Sequence, residues 1–217
     1  MFSQSEENYL KAIFHLQQNA NGGISTSSIS EKLTTKAASV TEMIKKLAEK
    51  NLVDYQKYYG VQLTETGRKH ALLIIRKHRL WEFFLVKRLN FNWDEVHDVA
   101  EQLEHIKSPK LVEELDIFLG RPEYDPHGDP IPDANGNLPK APKKRLSGLK
   151  KGDHAICKGF NDNSSSFLQF LDKQNIGLNT KIEVIGIESF DETMTILVNS
   201  NTILLSKTAT DNIYVEH

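Results

Sequence analysis

Histidine and carboxylate side chains crowd into residues 78–105: His78 and Glu82 in IRKHRLWEFF, then His97, Glu101, Glu104 and His105 in VHDVAEQLEH. Imidazole and carboxylate together suit a divalent first-row metal ion. On a helix, His78 and Glu82 stand one turn apart on one face. Positions 97, 101, 104 and 105 share an arc of roughly 100°, apart from Val96, Val99, Ala100 and Leu103. Solvated helix faces favour Lys, Glu and Arg, yet three of the eight histidines gather here, which favours a metal site over a plain polar face. His15 and His70 stand alone in helical patterns and read as surface or packing residues. His127, in DPHGDP, could be a loop ligand but reads more simply as ordering a linker.

The elements that must hold these residues follow from periodicity and turn chemistry. Residues 4–18 place Tyr9, Leu10, Ile13, Phe14 and Leu16 at helical spacing, and NANGG ends that helix. Ser25 or Thr26 can cap a short helix that buries Ile29 and Leu33. After the turn TTKAA, the segment SVTEMIKKLAEKN aligns Val40, Met43, Ile44 and Leu47 on one inward stripe. LVDYQKYYGVQLT reads as a β-hairpin around Gly60. Helix, short helix, turn, helix, hairpin is the winged helix-turn-helix order. In such a module the second helix enters the major groove with its N-terminal side chains at base edges. Those side chains are Ala38, Ser39, Thr41 and Glu42. Lys45 and Lys46 are available for phosphates and Lys57 and Tyr58 on the hairpin for the DNA backbone, with Ser25, Thr26 and Lys36 as further DNA-binding candidates.

A long helical pattern then runs from Thr64 to Leu89, followed by Asp94–Lys107 and a shorter helix from Pro109 to Leu119. Six of the seven prolines lie between Pro122 and Pro142, marking a linker. Beyond it HAICKGF, KIEVIGIE, TMTILVN and TILLSKT read as strands, with one brief helix in SSSFLQFLDKQ, the pattern of a small β-barrel.

A chain of 217 residues accommodates two or three domains. No apolar run approaches the ~20 residues of a membrane helix, and MFSQSEENYL lacks the regions of a secretory signal. The single cysteine, Cys157, forms no internal disulfide, so a cytoplasmic location is expected. The net charge of −2 does not advertise nucleic-acid binding, but residues 1–70 carry +2 and the remainder −4. That asymmetry permits DNA binding by the N-terminal part.

The segments EENYLKAIFHL, SVTEMIKKLAEKNLV, VQLTETGRKHA, RKHRLWEFFL, VHDVAEQLEH and GDPIP, in this order, resemble the DtxR/MntR family of metal-dependent repressors over nearly the full length. The resemblance implies a mostly α fold with small β. A winged helix-turn-helix DNA-binding domain would span residues 1–70 and a helical metal-binding and dimerisation domain 71–121. A Pro-rich linker at 122–146 would lead to an SH3-like (FeoA-like) domain at 147–217.

The resemblance also implies a homodimer on a double-stranded DNA operator, not an enzyme, with no membrane and no small organic substrate. Its effector would be Mn2+ or Fe2+, with Zn2+, Co2+ or Ni2+ as surrogates. One metal site would use His78, Glu82 and His97, the other Glu101, Glu104 and His105. Iron-type members have cysteine where this chain has Glu101, and a carboxylate in place of a soft thiolate suits Mn2+. Manganese-type members add acidic ligands from the first helix, where this chain has Asn8 and Lys11. Asn8 offers an amide or main-chain oxygen, whereas a charged Lys11 cannot ligate. Longer members draw a further ligand from the C-terminal domain, matched here by Asp162 or Asn163. Two other readings compete: a metal-independent winged-helix dimer whose barrel recruits a partner, and a non-haem metalloenzyme built on His78, Glu82 and His97.

Overall fold

The computed structural model describes residues 2–18, 20, 22–56, 59–139 and 144–217. Its chain divides into two compact units, Met1–His78 with Glu101–Glu113 and Pro132–Leu138, and Arg79–Ala100 with Glu114–Ile131 and Pro139–His217. Among the described residues no helix is long and apolar enough to cross a membrane.

The first unit opens with α1 (Gln4–Gln18), which buries Tyr9, Leu10, Ile13 and Phe14 as its periodicity requires. Ser3 and Glu6 form a reciprocal capping box at its start: Glu6 N donates to Ser3 Oγ at 3.3 Å and Ser3 N to Glu6 Oε2 at 2.9 Å. α2 (Thr26–Lys32) is capped by Ser25, whose hydroxyl accepts from Ser28 N. α3 (Ala37–Glu49) turns Val40, Ile44 and Leu47 inward. β1 (Val53–Gln56) and β2 (Gly60–Leu63) pair antiparallel, Val53 opposite Leu63. Ile24 adds a bridge to Val61 on the far side of β2. One apolar core joins these elements to the start of α4 (Glu65–Leu89), where Ala71, Leu72, Ile74 and Ile75 are buried.

α5 (Val96–Leu103) is shorter than the expected Asp94–Lys107, and Glu104 and His105 lie in the turn beyond it. Pro109 opens α6 (Pro109–Phe118) at a first-turn position where its missing N–H is tolerated, and it biases Ser108 before it away from helix.

In the second unit, β3 (Lys144–Arg145), β4 (His154–Phe160), β5 (Lys181–Ile187), β6 (Met194–Val198), β7 (Asn201–Leu205) and β8 (Ile213–Glu216) make one antiparallel sheet in the order β3-β8-β4-β5-β6-β7. α7 (Ser165–Lys173) buries Leu168 and Leu171 in the sheet's core with Cys157, Phe160, Val184 and Ile196. α8 (Lys207–Asp211) precedes β8. Irregularities at Cys157/Gly159 and Val184/Gly186 bend the sheet. Among the described residues it does not close as the expected barrel does: two-residue β3 pairs with β8 and β7 with β6, leaving both as edges.

The Pro-rich stretch, expected as a linker, folds back on itself between Glu123 and Ile131. Ile131 N donates to Glu123 O at 2.8 Å and Asp125 N to Asp129 O at 2.9 Å. The Asp125 carboxylate also accepts from His127 N and Asp129 N, an Asx-type turn. Its tip packs onto β4, where Phe160 N donates to His127 O at 3.1 Å.

Candidate metal centre

Two groups of potential ligand atoms converge among the described residues, and both include Glu82. In each, the atoms lie within 4.8 Å of one another: His78, Glu82 and His97 in one, Glu82, Asp125 and His127 in the other. α4 itself keeps His78 and Glu82 one turn apart, and His97 Nδ1 stands 3.5 Å from Glu82 Oε1. His97 is 57% exposed while the Glu82 side chain is 3% exposed.

The second group is buried throughout. His127 Nε2 meets the carbonyl of Trp93 at 2.7 Å, which fixes that nitrogen as a donor and gives the neutral ring its lone pair on Nδ1. Nδ1 is buried without a hydrogen-bond partner. It lies 3.7 Å from Glu82 Oε2, beyond hydrogen-bond range. Burial disfavours a charged His127, but the Glu82 and Asp125 carboxylates outweigh it and push its pKa up to about 9. Burial, with the negative charges of Asp129 and Glu82, pushes Asp125 up to about 7. Arg79 steadies the acidic turn, donating to Pro130 O at 2.5 Å and standing 3.5 Å from Asp125 Oδ2. A buried, orphaned imidazole nitrogen facing two carboxylates fits a divalent cation, which needs such atoms and relieves their mutual repulsion.

The sequence offers His127 as a possible loop ligand, read more simply as ordering the linker, and does not single out Asp125. The available signal was an Asp-x-His spacing inside a run of turn formers, where Asx turns are equally expected.

The residues expected at the other site are arranged differently. Lys11 Nζ lies 3.0 Å from Glu101 Oε1 and donates to both oxygens of Glu104, at 2.7 and 2.8 Å. Glu104 is fully buried, and His78 Nδ1 stands 2.6 Å from its Oε2. Burial alone would raise the Glu104 pKa; the His78 hydrogen bond and the Lys11 charge outweigh it and hold it below the usual range. His105 Nδ1 pairs with Glu7 Oε2 at 2.5 Å. Asn8 on α1 is half-buried, and neither converging group includes it. Asp162 is also outside both groups; its Oδ1 accepts from Ser164 N at the start of α7.

Of the DNA-facing candidates, Lys36, Ala38, Ser39, Glu42 and Lys45 are exposed on or beside α3. Thr41 Oγ1 donates to Ala37 O, Ser25 serves as the α2 cap, and Thr26 is its half-buried first residue. Lys46, expected at phosphates, lies 3.1 Å from the buried Glu6 carboxylate. Lys57 and Tyr58 lie outside the described residues.

Comparison with known proteins gives three family-model matches. They are the iron dependent repressor N-terminal DNA binding domain (residues 1–61), the iron dependent repressor metal binding and dimerisation domain (64–133) and the FeoA domain (144–217). An uncharacterized HTH-type transcriptional regulator of Methanocaldococcus jannaschii is 37% identical over 117 residues, 54% of this chain and 94% of that protein. The iron-dependent repressor IdeR of Mycobacterium tuberculosis is 32% identical over 126 residues, covering 58% of this chain and 54% of IdeR. The match thus spans about half the length of that relative. A solved manganese-dependent transcriptional repressor in complex with manganese is similar at a TM-score of 0.89 and 37% identity, covering 97% of this chain and 99% of that one.

Proposed function

The chain belongs to the iron-dependent repressor family of DNA-binding proteins, and from that premise we propose that it is a metal-dependent transcriptional repressor whose effector ion is held around Glu82. The observation that carries this reading is the orphaned Nδ1 of buried His127, aimed at the Glu82 and Asp125 carboxylates. His78 and His97 extend the donor set about Glu82. A divalent ion bound there would supply the positive charge these buried groups otherwise take from a proton on His127 and from Arg79.

The chain's own residues prepare that site. Trp93 O orients the His127 ring, Arg79 holds the 125–130 turn to α4, and Glu104 orients His78 through its Nδ1. The donors are imidazole and carboxylate. The one cysteine, Cys157, is buried in the sheet's core, and burial pushes its thiol up to about 11. That hard donor set favours Mn2+, with Fe2+ next to it in the affinity series; solved relatives carry manganese, zinc or cadmium.

The exposed N-terminal face of α3 would read an operator, and a homodimer would present two such helices to two half-sites. The domains would divide near residues 70, 121 and 146, with the bent C-terminal sheet as an SH3-like, FeoA-type module. A regulator of this kind would work in the cytoplasm. Because ion and operator favour the same conformation, each tightens the other by an equal factor, of about 5–150-fold.

Fluorescence anisotropy on DNA from upstream of the chain's own gene and of metal-transporter genes tests this, first in chelator and then with Mn2+ or Fe2+. Binding that appears with metal, strongest with Mn2+, is expected. Tight binding in chelator that metal leaves unchanged would overturn it.

A further inference from the structure

We infer that the second cation position, at Glu101 and Glu104, is filled by the chain's own Lys11. The ammonium has three N–H donors, and three carboxylate oxygens meet it: Glu101 Oε1 at 3.0 Å and Glu104 Oε1 and Oε2 at 2.7 and 2.8 Å. The Lys11 side chain is 13% exposed and that of Glu104 0%, so the pair is a buried contact rather than a loose surface one. Of the other expected donors, His105 is engaged through Nδ1, while its Nε2 stands 3.9 Å from Glu104 Oε1. His105 Nδ1 meets Glu7 Oε2 at 2.5 Å, and Lys77 Nζ stands 3.7 Å from Glu7 Oε1. Neither converging ligand group among the described residues includes Glu101, Glu104 or His105.

Ion entry at this point requires Lys11 to leave, since its ammonium occupies both Glu104 oxygens and Glu101 Oε1 and repels a second cation there. The consequence is a division of labour. Lys11 ties α1 to the end of α5 permanently, and exchangeable ions are confined to the neighbourhood of Glu82. Glu104 lies between Lys11 and His78 Nδ1, so the fixed cation also steadies a ligand of the exchangeable site.

The inference rests on the metal-sensor reading only for its probe ion. The test is the number of Mn2+ ions per full-length chain after chelation and equilibrium dialysis, measured by elemental analysis. Wild type is compared with Lys11→Glu, Lys11→Met and Glu101→Gln, each checked for native circular dichroism. Lys11→Glu is expected to take up one more ion than wild type, and the double variant Lys11→Glu/Glu101→Gln to lose it. Lys11→Met, which keeps the apolar stem and adds only a soft thioether that Mn2+ disfavours, controls for a fold effect of Lys11→Glu. Glu101→Gln alone is expected to leave the wild-type number unchanged. If Glu101→Gln costs the wild-type chain one ion, an ion displaces Lys11 and the inference is overturned. Failure of the sensor reading shows separately, as a Glu82→Gln variant that binds as many ions as wild type.

Discussion

Glu82 is the residue that both converging ligand groups share, and His127 is the one whose buried Nδ1 has no hydrogen-bond partner. Replacing His127 by Gln keeps a polar group of similar length but removes the aromatic nitrogen. Mn2+ affinity is expected to fall by at least about 10-fold, the effect already typical of lost supporting contacts at metal sites, as calorimetric titration would read. Unchanged affinity would remove His127 from the ligand set. Glu6 yields a pH prediction. Burial raises its pKa, but hydrogen bonds from Lys50, Ser3 N and Lys46 dominate and lower it to about 2 from 4.5. A carboxylate with a depressed folded pKa stabilises the fold above its unfolded value, and that stabilisation is lost as pH falls through the folded one. Between pH 4.5 and about 2 the wild type should therefore lose stability more steeply than Glu6→Gln. Urea midpoints across that range check it, and parallel acid limbs would refute the assignment.

Elements transmit these local facts. The capping box at α1 uses one Glu6 oxygen for Ser3 N. The other oxygen receives Lys50, at the end of α3, at 2.6 Å and Lys46 at 3.1 Å. One buried carboxylate thus starts one helix and fastens it to the proposed recognition helix. The 123–131 turn plays the corresponding part in the second unit. Gly128 has φ +81°, and a Cβ there would stand 2.2 Å from Lys158 O on β4. Gly128→Ala is strained both in backbone and in contact. A stability loss of at least about 1–3 kcal/mol is expected, with weaker Mn2+ uptake because His127 is the neighbouring residue. Thermal melts with and without Mn2+ would show a reduced metal-dependent rise in melting temperature.

At the scale of the molecule, three exposed apolar side chains bear on the proposed homodimer. Leu89, Ile117 and Phe118 are 50%, 48% and 59% exposed at the ends of α4 and α6. Phe118 packs only loosely, its ring 6.4 Å from that of Phe84 with the Arg88 guanidinium 5.2 Å above it. Exposed apolar side chains of this kind would suit the self-complementary surface of the proposed dimer. Phe118→Asp is expected to give a folded monomer by light scattering and to weaken operator binding, since one half-site then binds alone. A dimer of unchanged stability would place the interface elsewhere.

Periodicity by itself determined the helices that carry the chemistry. The stripes through Tyr9–Phe14 and Val40–Leu47, the hairpin about Gly60, and the His78/Glu82 pair all depend on contacts a few residues apart, which sequence spacing encodes directly. Tertiary structure decided which groups meet at each carboxylate cluster. Asp125 and His127 sit in a Pro- and Gly-rich turn with no period to reveal a face, and they meet Glu82 because that turn folds back and Arg79 ties it to α4. Lys11 meets Glu101 and Glu104 across 90 and 93 residues. The chain showed that Lys11 could not be a ligand, but whether its ammonium turned to water or into the carboxylates depended on where α1 packs. Local spacing fixes which face a side chain occupies, whereas its partner across a long loop is chosen by the packing of whole elements.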